Sequence, residues 1–241
     1  MTKKFVIGVD FDFRTPETGF DMGLAKAFAD PEVEVRFLTE KRTGGTVPPE
    51  QFKDIDVFIS LDRDITTSSL EQANRLKWIG RYGAGFNNVD LDACTAKGVL
   101  VSNAPQGVWE SVSEITLSYI LALANKLKVL DKWIRVHGFE NKGQHATYCL
   151  TNRVLGIIGF GGISARLVEL VEPLDMKVLV YDPYADEKVL QAKGIEKVDL
   201  DTLFANSDYV TVHVPLTNET ADMIKLEHFQ KMKPSAFFIN T

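Results

Sequence analysis

The chain has 241 residues, a net charge of −6 and no basic run among its scattered Lys and Arg, which argues against a nucleic-acid partner. With 45% hydrophobic residues it can bury a proper core, as one large domain or two small ones. Its two cysteines, Cys94 and Cys149, stand far apart without metal-ligand spacing, so they read as reduced thiols of a cytoplasmic protein and no metal is expected.

The N-terminus leads straight into a strand-like run, with no apolar stretch of signal-peptide type. Strands are predicted at Phe5–Val9, Val33–Leu38, Val57–Leu61, Trp78–Arg81 and Val99–Ser102, all short and rich in apolar, β-branched or aromatic residues. Helices are predicted between them at Gly23–Ala29, Ser69–Arg75 and Leu91–Lys97, with Asp30-Pro31, Gly44-Gly45 and Pro48-Pro49 marking connections. Such alternation implies a mostly parallel sheet covered on both faces.

A long helix is predicted from Val108 to Lys126, with Ser111 and Glu114 spaced as a capping box. Its apolar residues run most of the way round, so both faces are expected to be buried, as at a domain junction or subunit interface. Its longest apolar stretch, 115–124, is too short to span a bilayer. Residues 133–148 read as a helix end and a loop. A second series of strands follows at Arg153–Ile158, Lys177–Tyr181, near Lys197-Val198, at Tyr209–His213 and at Ala236–Asn240. Helices alternate with them at Ile163–Val171, Glu187–Ala192 and Leu200–Ala205. The expected fold class is therefore α/β, with two doubly wound parallel-sheet domains over 1–101 and 102–241.

The most informative stretch opens the second series of strands. Val154–Ile158 is an apolar strand, Gly159-Phe160-Gly161-Gly162 a glycine turn, and Ile163 the expected start of a helix. Val178–Tyr181 is a second apolar strand, ending in Asp182. This is the pattern that holds a dinucleotide: Gly159 for the tight turn, Gly161 for close approach of a pyrophosphate, and the helix N-terminus for its charge. Asp182 stands where a carboxylate grips the ribose 2′-OH, and there it would repel a 2′-phosphate, favouring NAD over NADP. Two departures stand out. Ser164 holds the third glycine position and is expected to crowd the helix–strand contact. Gly162 offers no side chain to a phosphate, and the loop has no positive charge.

Several stretches together resemble the D-isomer-specific 2-hydroxyacid dehydrogenases. These are Arg81–Asp90, Asn103-Ala104-Pro105 with Ser111–Glu114, Gly156–Ser164, Tyr181–Tyr184, His213–Thr217 with Glu219-Thr220, and Phe237–Thr241. The resemblance implies a flavodoxin-like substrate domain, with the backbone of Gly83, Ala84 and Gly85 holding a substrate carboxylate. It also implies an NAD-binding Rossmann domain, incomplete at its C-terminus. Gly159, Gly161, Gly162 and Ile163 fall on the pyrophosphate loop, Asp182 on the ribose ligand, Val214, Pro215 and Thr220 on the adenosine wall, and Thr241 near the nicotinamide.

The implied activity is hydride transfer between the nicotinamide and a small 2-hydroxy or 2-oxo acid, with 3-phosphoglycerate preferred on the family's prevalence alone. The family's catalytic arginine, carboxylate and histidine would all fall beyond Thr241, so no catalytic residue is assigned here. An incomplete sequence is expected, inactive alone and poorly soluble through the edge at Ala236–Asn240. The alternative is a non-catalytic NAD-binding homologue, acting as a sensor or partner subunit. His213 is rejected as the catalytic acid, and His137, His145 and His228 read as surface or structural. Trp78, Trp109 and Trp133 read as packing residues. The long helix and the loop after it resemble the family's dimer interface, so a homodimer is expected.

Overall fold

The computed structural model describes residues 4–14, 26, 29–39, 45–140 and 142–241. The predicted helix Gly23–Ala29 lies almost wholly outside them. The chain forms two compact units, Met1–Gly107 and Val108–Thr241. The division falls later than residue 101 because the strand crossing that position pairs within the first sheet.

In the first unit, strands β1 (Phe5–Val9), β2 (Val33–Phe37), β3 (Val57–Ser60), β4 (Trp78–Arg81) and β5 (Leu100–Asn103) form one sheet in the order β2-β1-β3-β4-β5. Every pairing is parallel. Val6, Phe52, Ile55, Phe58, Ile65, Leu70 and Ile79 lie in its core. Helix α1 (Leu91–Ala96) starts at Asp90, whose carboxylate accepts from the Ala93 N–H at 2.9 Å.

The predicted helix Ser69–Arg75 is instead a run of turns. The hydroxyls of Thr66 and Ser69 compete with helical bonding: Ser69 Oγ accepts from Thr66 N–H at 3.2 Å and Thr66 Oγ1 from Ser69 N–H at 3.4 Å. Leu70, Glu71 and Ala73 then bond back to the carbonyls of Thr67, Ser68 and Leu70, three residues earlier in each case.

The second unit opens with α2 (Trp109–Ala124) and α3 (Leu127–His137), separated by Lys126 in a left-handed conformation at φ 50°. One expectation for α2 is corrected. It begins before Ser111, whose hydroxyl donates back to the Val108 carbonyl at 3.3 Å, so no capping box forms there. Within this chain it buries the stripe Ser113, Thr116, Ile120 and Ala124 and leaves Ile115, Tyr119 and Leu121 exposed.

Strands β6 (Val154–Ile158), β7 (Lys177–Tyr181), β8 (Glu196–Lys197), β9 (Tyr209–Val212) and β10 (Phe237–Asn240) form the second sheet, ordered β10-β9-β6-β7-β8. All pairs are again parallel. Counted from β6, this is the doubly wound order 3-2-1-4-5, with its switch point beside the central strand. Leu155, Ile157 and Ile158 on β6 are fully buried, as the central strand of a sheet covered on both faces requires. Helices α4 (Gly162–Val171), α5 (Glu187–Ala192), α6 (Leu200–Asn206) and α7 (Leu226–Lys231) connect or follow these strands.

Each unit locks its first strand with an aspartate. Val6 N–H donates to Asp56 Oδ2 at 2.8 Å while Asp56 N–H donates to the Val6 carbonyl at 2.9 Å. Val154 N–H donates to Asp208 Oδ2 at 2.8 Å while Asp208 N–H returns to the Val154 carbonyl at 2.8 Å.

Candidate functional site: the carboxyl edge of the second sheet

The register of the second sheet brings its strand ends into line. Ile158 pairs with Tyr181 on one side and Val212 on the other, and Val212 pairs with Asn240. The residues that follow, Gly159, Asp182, His213 and Thr241, therefore all leave the same edge of the sheet. This is the side where open parallel sheets hold ligands.

Gly159 has φ +86°, a conformation that L side chains rarely adopt. An added Cβ would also come within 2.6 Å of Val214 Cγ1 and 3.0 Å of the His213 carbonyl. The turn out of β6 thus packs directly on the loop after β9. Gly161 is the N-cap of α4, exposed, with nothing within 4 Å of its Cβ position. That open space is what a close-approaching pyrophosphate needs. The helix starts at Gly162, one residue before the expected Ile163, without a side-chain cap. The N–H groups of its first turn have no intrahelical acceptor and are free to face an anion.

Ser164 does not crowd the helix–strand contact. It is fully buried, and its hydroxyl donates to the Gly159 carbonyl at 2.7 Å, satisfying both groups and tying the first turn of α4 to the end of β6.

Asp182 has a structural task that its position in the sequence does not show. Its Oδ2 accepts from Phe160 N–H at 2.7 Å, and its Oδ1 from Tyr184 N–H at 2.8 Å and Ala185 N–H at 3.2 Å. The carboxylate joins the loops after β6 and β7. A carboxylate offers about four lone-pair sites, so acceptor capacity remains for a ribose hydroxyl. Tyr184 then bridges to the next loop, its hydroxyl donating to Glu219 Oε2 at 2.9 Å, a bond to a carboxylate that raises its pKa.

The loop after β9 is shaped by Thr220. Its hydroxyl donates to the Pro215 carbonyl at 2.5 Å and accepts from Thr217 N–H at 2.8 Å, fixing the turn that presents Val214 and Pro215. His213 is mostly buried and bonded to Thr211 Oγ1 at 3.0 Å; burial lowers its pKa from 6.5 to about 4, so it is neutral near pH 7. Thr241 follows β10, with its hydroxyl 3.5 Å from Thr116 Oγ1 on α2.

The remaining histidines are also held in structural contacts. His228 Nδ1 accepts from Lys225 N–H at 2.9 Å at the start of α7, and the rings of His137 and His145 lie 4.2 and 4.6 Å from that of Trp133.

The expected substrate loop lies in the first unit, after β4. Gly83 has φ +141°, and the Arg81 guanidinium fills its Cβ position at 1.7 Å. The carbonyls of Tyr82, Gly83 and Ala84 accept from Arg81 Nη1 at 2.6 Å, Ala104 N–H at 2.9 Å and Asn103 Nδ2 at 2.7 Å. The N–H groups of Gly83, Ala84 and Gly85 have no acceptor among the described residues. The carbonyls of this loop are thus engaged while its three amides are left open.

A doubly wound unit with a glycine turn, an uncapped helix N-terminus and an acid after the next strand is a dinucleotide-binding domain. Residues 117–241 match the NAD binding domain of the D-isomer specific 2-hydroxyacid dehydrogenases, and the chain belongs to that family. The cofactor is NAD, for which that domain is named, and the open space at Gly161 and the spare acceptor capacity of Asp182 fit it.

D-3-phosphoglycerate dehydrogenase of Synechocystis sp. is 35% identical over 176 residues, covering 73% of this chain and 32% of the relative. Glyoxylate reductase of Thermococcus litoralis is 32% identical over 203 residues, covering 80% of this chain and 60% of the relative. The chain thus spans between about a third and three fifths of the length of these curated relatives. A solved D-lactate dehydrogenase from Aquifex aeolicus, complexed with NAD and lactic acid, matches with a TM-score of 0.82 at 30% identity, over 98% of this chain and 68% of that one. A solved formate dehydrogenase from Staphylococcus aureus, in complex with NAD, gives 0.83 at 25% identity, over 98% and 73%.

Proposed function

We propose that the protein is the cofactor-holding and substrate-anchoring part of an NAD-dependent 2-hydroxyacid dehydrogenase. The observation that carries this reading is the alignment of Gly159, Asp182, His213-Val214 and Thr241 past one row of the second sheet. On it, Gly161, Gly162 and Ile163 receive the pyrophosphate and Asp182 receives the adenosine ribose. Val214, Pro215 and Thr220 line the adenine side, and Thr241 lies toward the nicotinamide. NAD supplies the site that accepts or gives the hydride; the chain's residues hold and orient it. In the first unit, the open amides of Gly83, Ala84 and Gly85 take the carboxylate of a small 2-hydroxy or 2-oxo acid, 3-phosphoglycerate being preferred on the family's prevalence.

The exposed apolar face of α2 and α3, with Ile115, Tyr119, Leu121, Leu127 and Val129, suits a homodimer contact. Two free cysteines suit the reducing cytoplasm. The described residues include no helix long and apolar enough to cross a membrane.

A second reading, binding of NAD without turnover, draws support from the histidines. His213 is neutral and enclosed, and His137, His145 and His228 are engaged in structural contacts, which leaves no histidine of this chain as the proton-exchanging group. Calorimetric titration with NADH and NADPH, followed by turnover assays with 2-oxo acids, tests both readings. Micromolar NADH binding that exceeds NADPH binding is expected. Turnover by this chain once it is completed with the C-terminal segment of a full-length relative selects the enzyme reading, NADH binding by that completed chain without turnover selects the second, and failure to bind NADH refutes both.

A further inference from the structure

The start of α4 is met by a tryptophan. A Cβ added at Gly162 would lie 2.1 Å from Cε2, 2.4 Å from Cδ2 and 2.5 Å from Cζ2 of Trp109. The indole occupies the volume that a side chain at position 162 would take, against the first residue of the helix that faces the pyrophosphate. Beside it, Glu110 accepts from Arg166 Nε at 2.8 Å, joining the first turn of α2 to α4. Arg166, the one basic residue of α4, also bonds Glu169 at 3.0 Å, so two carboxylates already neutralise it.

Packing alone does not account for Trp109. The residue is 36% exposed, and its Nε1–H has no acceptor among the described residues. The other two tryptophans are satisfied: Trp78 donates to Ser102 Oγ at 2.9 Å and Trp133 to the Glu140 carbonyl at 2.9 Å. Cε2, the ring atom nearest the Gly162 Cβ position, is bonded to Nε1, so the spare donor stands one bond from the atom that meets α4.

We propose that Trp109 is a cofactor-binding residue, its indole N–H donating to the pyrophosphate at the start of α4 in place of the side chain that Gly162 lacks. The inference rests on the NAD reading of this edge. A turn without cation or side-chain donor meets a diphosphate with backbone amides alone. A neutral donor fixed beside those amides adds a hydrogen bond to a charged acceptor without further charge.

The test is titration of the full chain and its W109F variant with ADP-ribose, which carries the pyrophosphate without the nicotinamide, and with adenosine, which carries no phosphate. Phenylalanine keeps an aromatic ring against Gly162 and removes the N–H. ADP-ribose binding is expected to weaken roughly tenfold, the worth of one hydrogen bond to a charged group, with adenosine binding unchanged. G162A provides a second route, because its Cβ displaces the indole while Trp109 remains; it is expected to lose ADP-ribose affinity in the same way. Equal affinities of W109F and wild type for ADP-ribose, or equal losses for both ligands, overturn the proposal. Failure of the wild type to bind ADP-ribose overturns the NAD reading itself and the proposal with it.

Discussion

Replacing Asp182 separates its two roles, because its structural bonds are directional. Asp182→Ala removes the acceptor of three N–H groups, those of Phe160, Tyr184 and Ala185, at 2.7, 2.8 and 3.2 Å. At about 1 kcal/mol for each partly exposed bond to a carboxylate, the second unit should lose roughly 2–4 kcal/mol. Asp182→Asn keeps one oxygen. With that oxygen toward Tyr184 and Ala185, its amide NH₂ opposes the Phe160 N–H, and a loss of about 1–2 kcal/mol is expected. Urea denaturation gives these magnitudes through midpoint shifts at constant slope, and amide hydrogen exchange assigns them. The alanine variant should deprotect Phe160, Tyr184 and Ala185, and the asparagine variant Phe160 alone. NADH affinity should fall in both, and preference over NADPH should shrink as the carboxylate charge is lost. A wild-type urea midpoint for Asp182→Ala, or unchanged exchange at Phe160 in both variants, would refute the structural role. An unchanged NADH affinity would refute the ribose contact while leaving the structural role intact.

Three further outcomes follow from the second unit. Gly156→Ala would place a Cβ 2.3 Å from Ser207 Oγ and 2.7 Å from Leu203 Cδ2, overpacking β6 against α6; a loss of about 1–3 kcal/mol in urea unfolding is expected. Ser164→Ala deletes the buried bond to the Gly159 carbonyl and should cost about 1–2 kcal/mol, with weaker NADH binding as the turn loosens; a neutral effect on both would contradict the role assigned to that hydroxyl. His213 is held neutral by burial, with a folded pKa of about 4 against 6.5. The unfolded chain therefore takes up the proton first, and the stability present above pH 6.5 is lost as pH falls towards 4. That loss is roughly 2–3 kcal/mol between pH 7.5 and 4.5, and urea midpoints of His213→Gln should lack this component.

The strands were legible because parallel strands buried on both faces are short apolar runs set off by turn residues. Phe5–Val9, Trp78–Arg81 and Lys177–Tyr181 stand where their residues put them. Helices whose fate depended on polar side chains were less legible. Ser69–Arg75 has helical spacing, but its neighbouring hydroxyls bond the local backbone instead. On α2, the apolar residues go round the helix but only one stripe meets the second unit's core. Sequence pattern gives the face that is apolar, not the amount of surface available to cover it.

The glycine turn shows where a single sequence stops being informative. Gly159, Gly161 and Gly162 look alike in the sequence, yet three different constraints act on them. Gly159 sits at a positive φ and against Val214, so its identity follows from the turn and from a loop over fifty residues away. Gly161 meets nothing, so the protein itself does not require glycine there and a ligand would. Gly162 has no positive φ, and its constraint is the Trp109 ring, brought to it only by the packing of α2 on α4. The motif spacing leads to the first two readings. The third was hidden because its cause lies outside the motif; the available clue was a glycine at a position where neither turn geometry nor phosphate contact demands one.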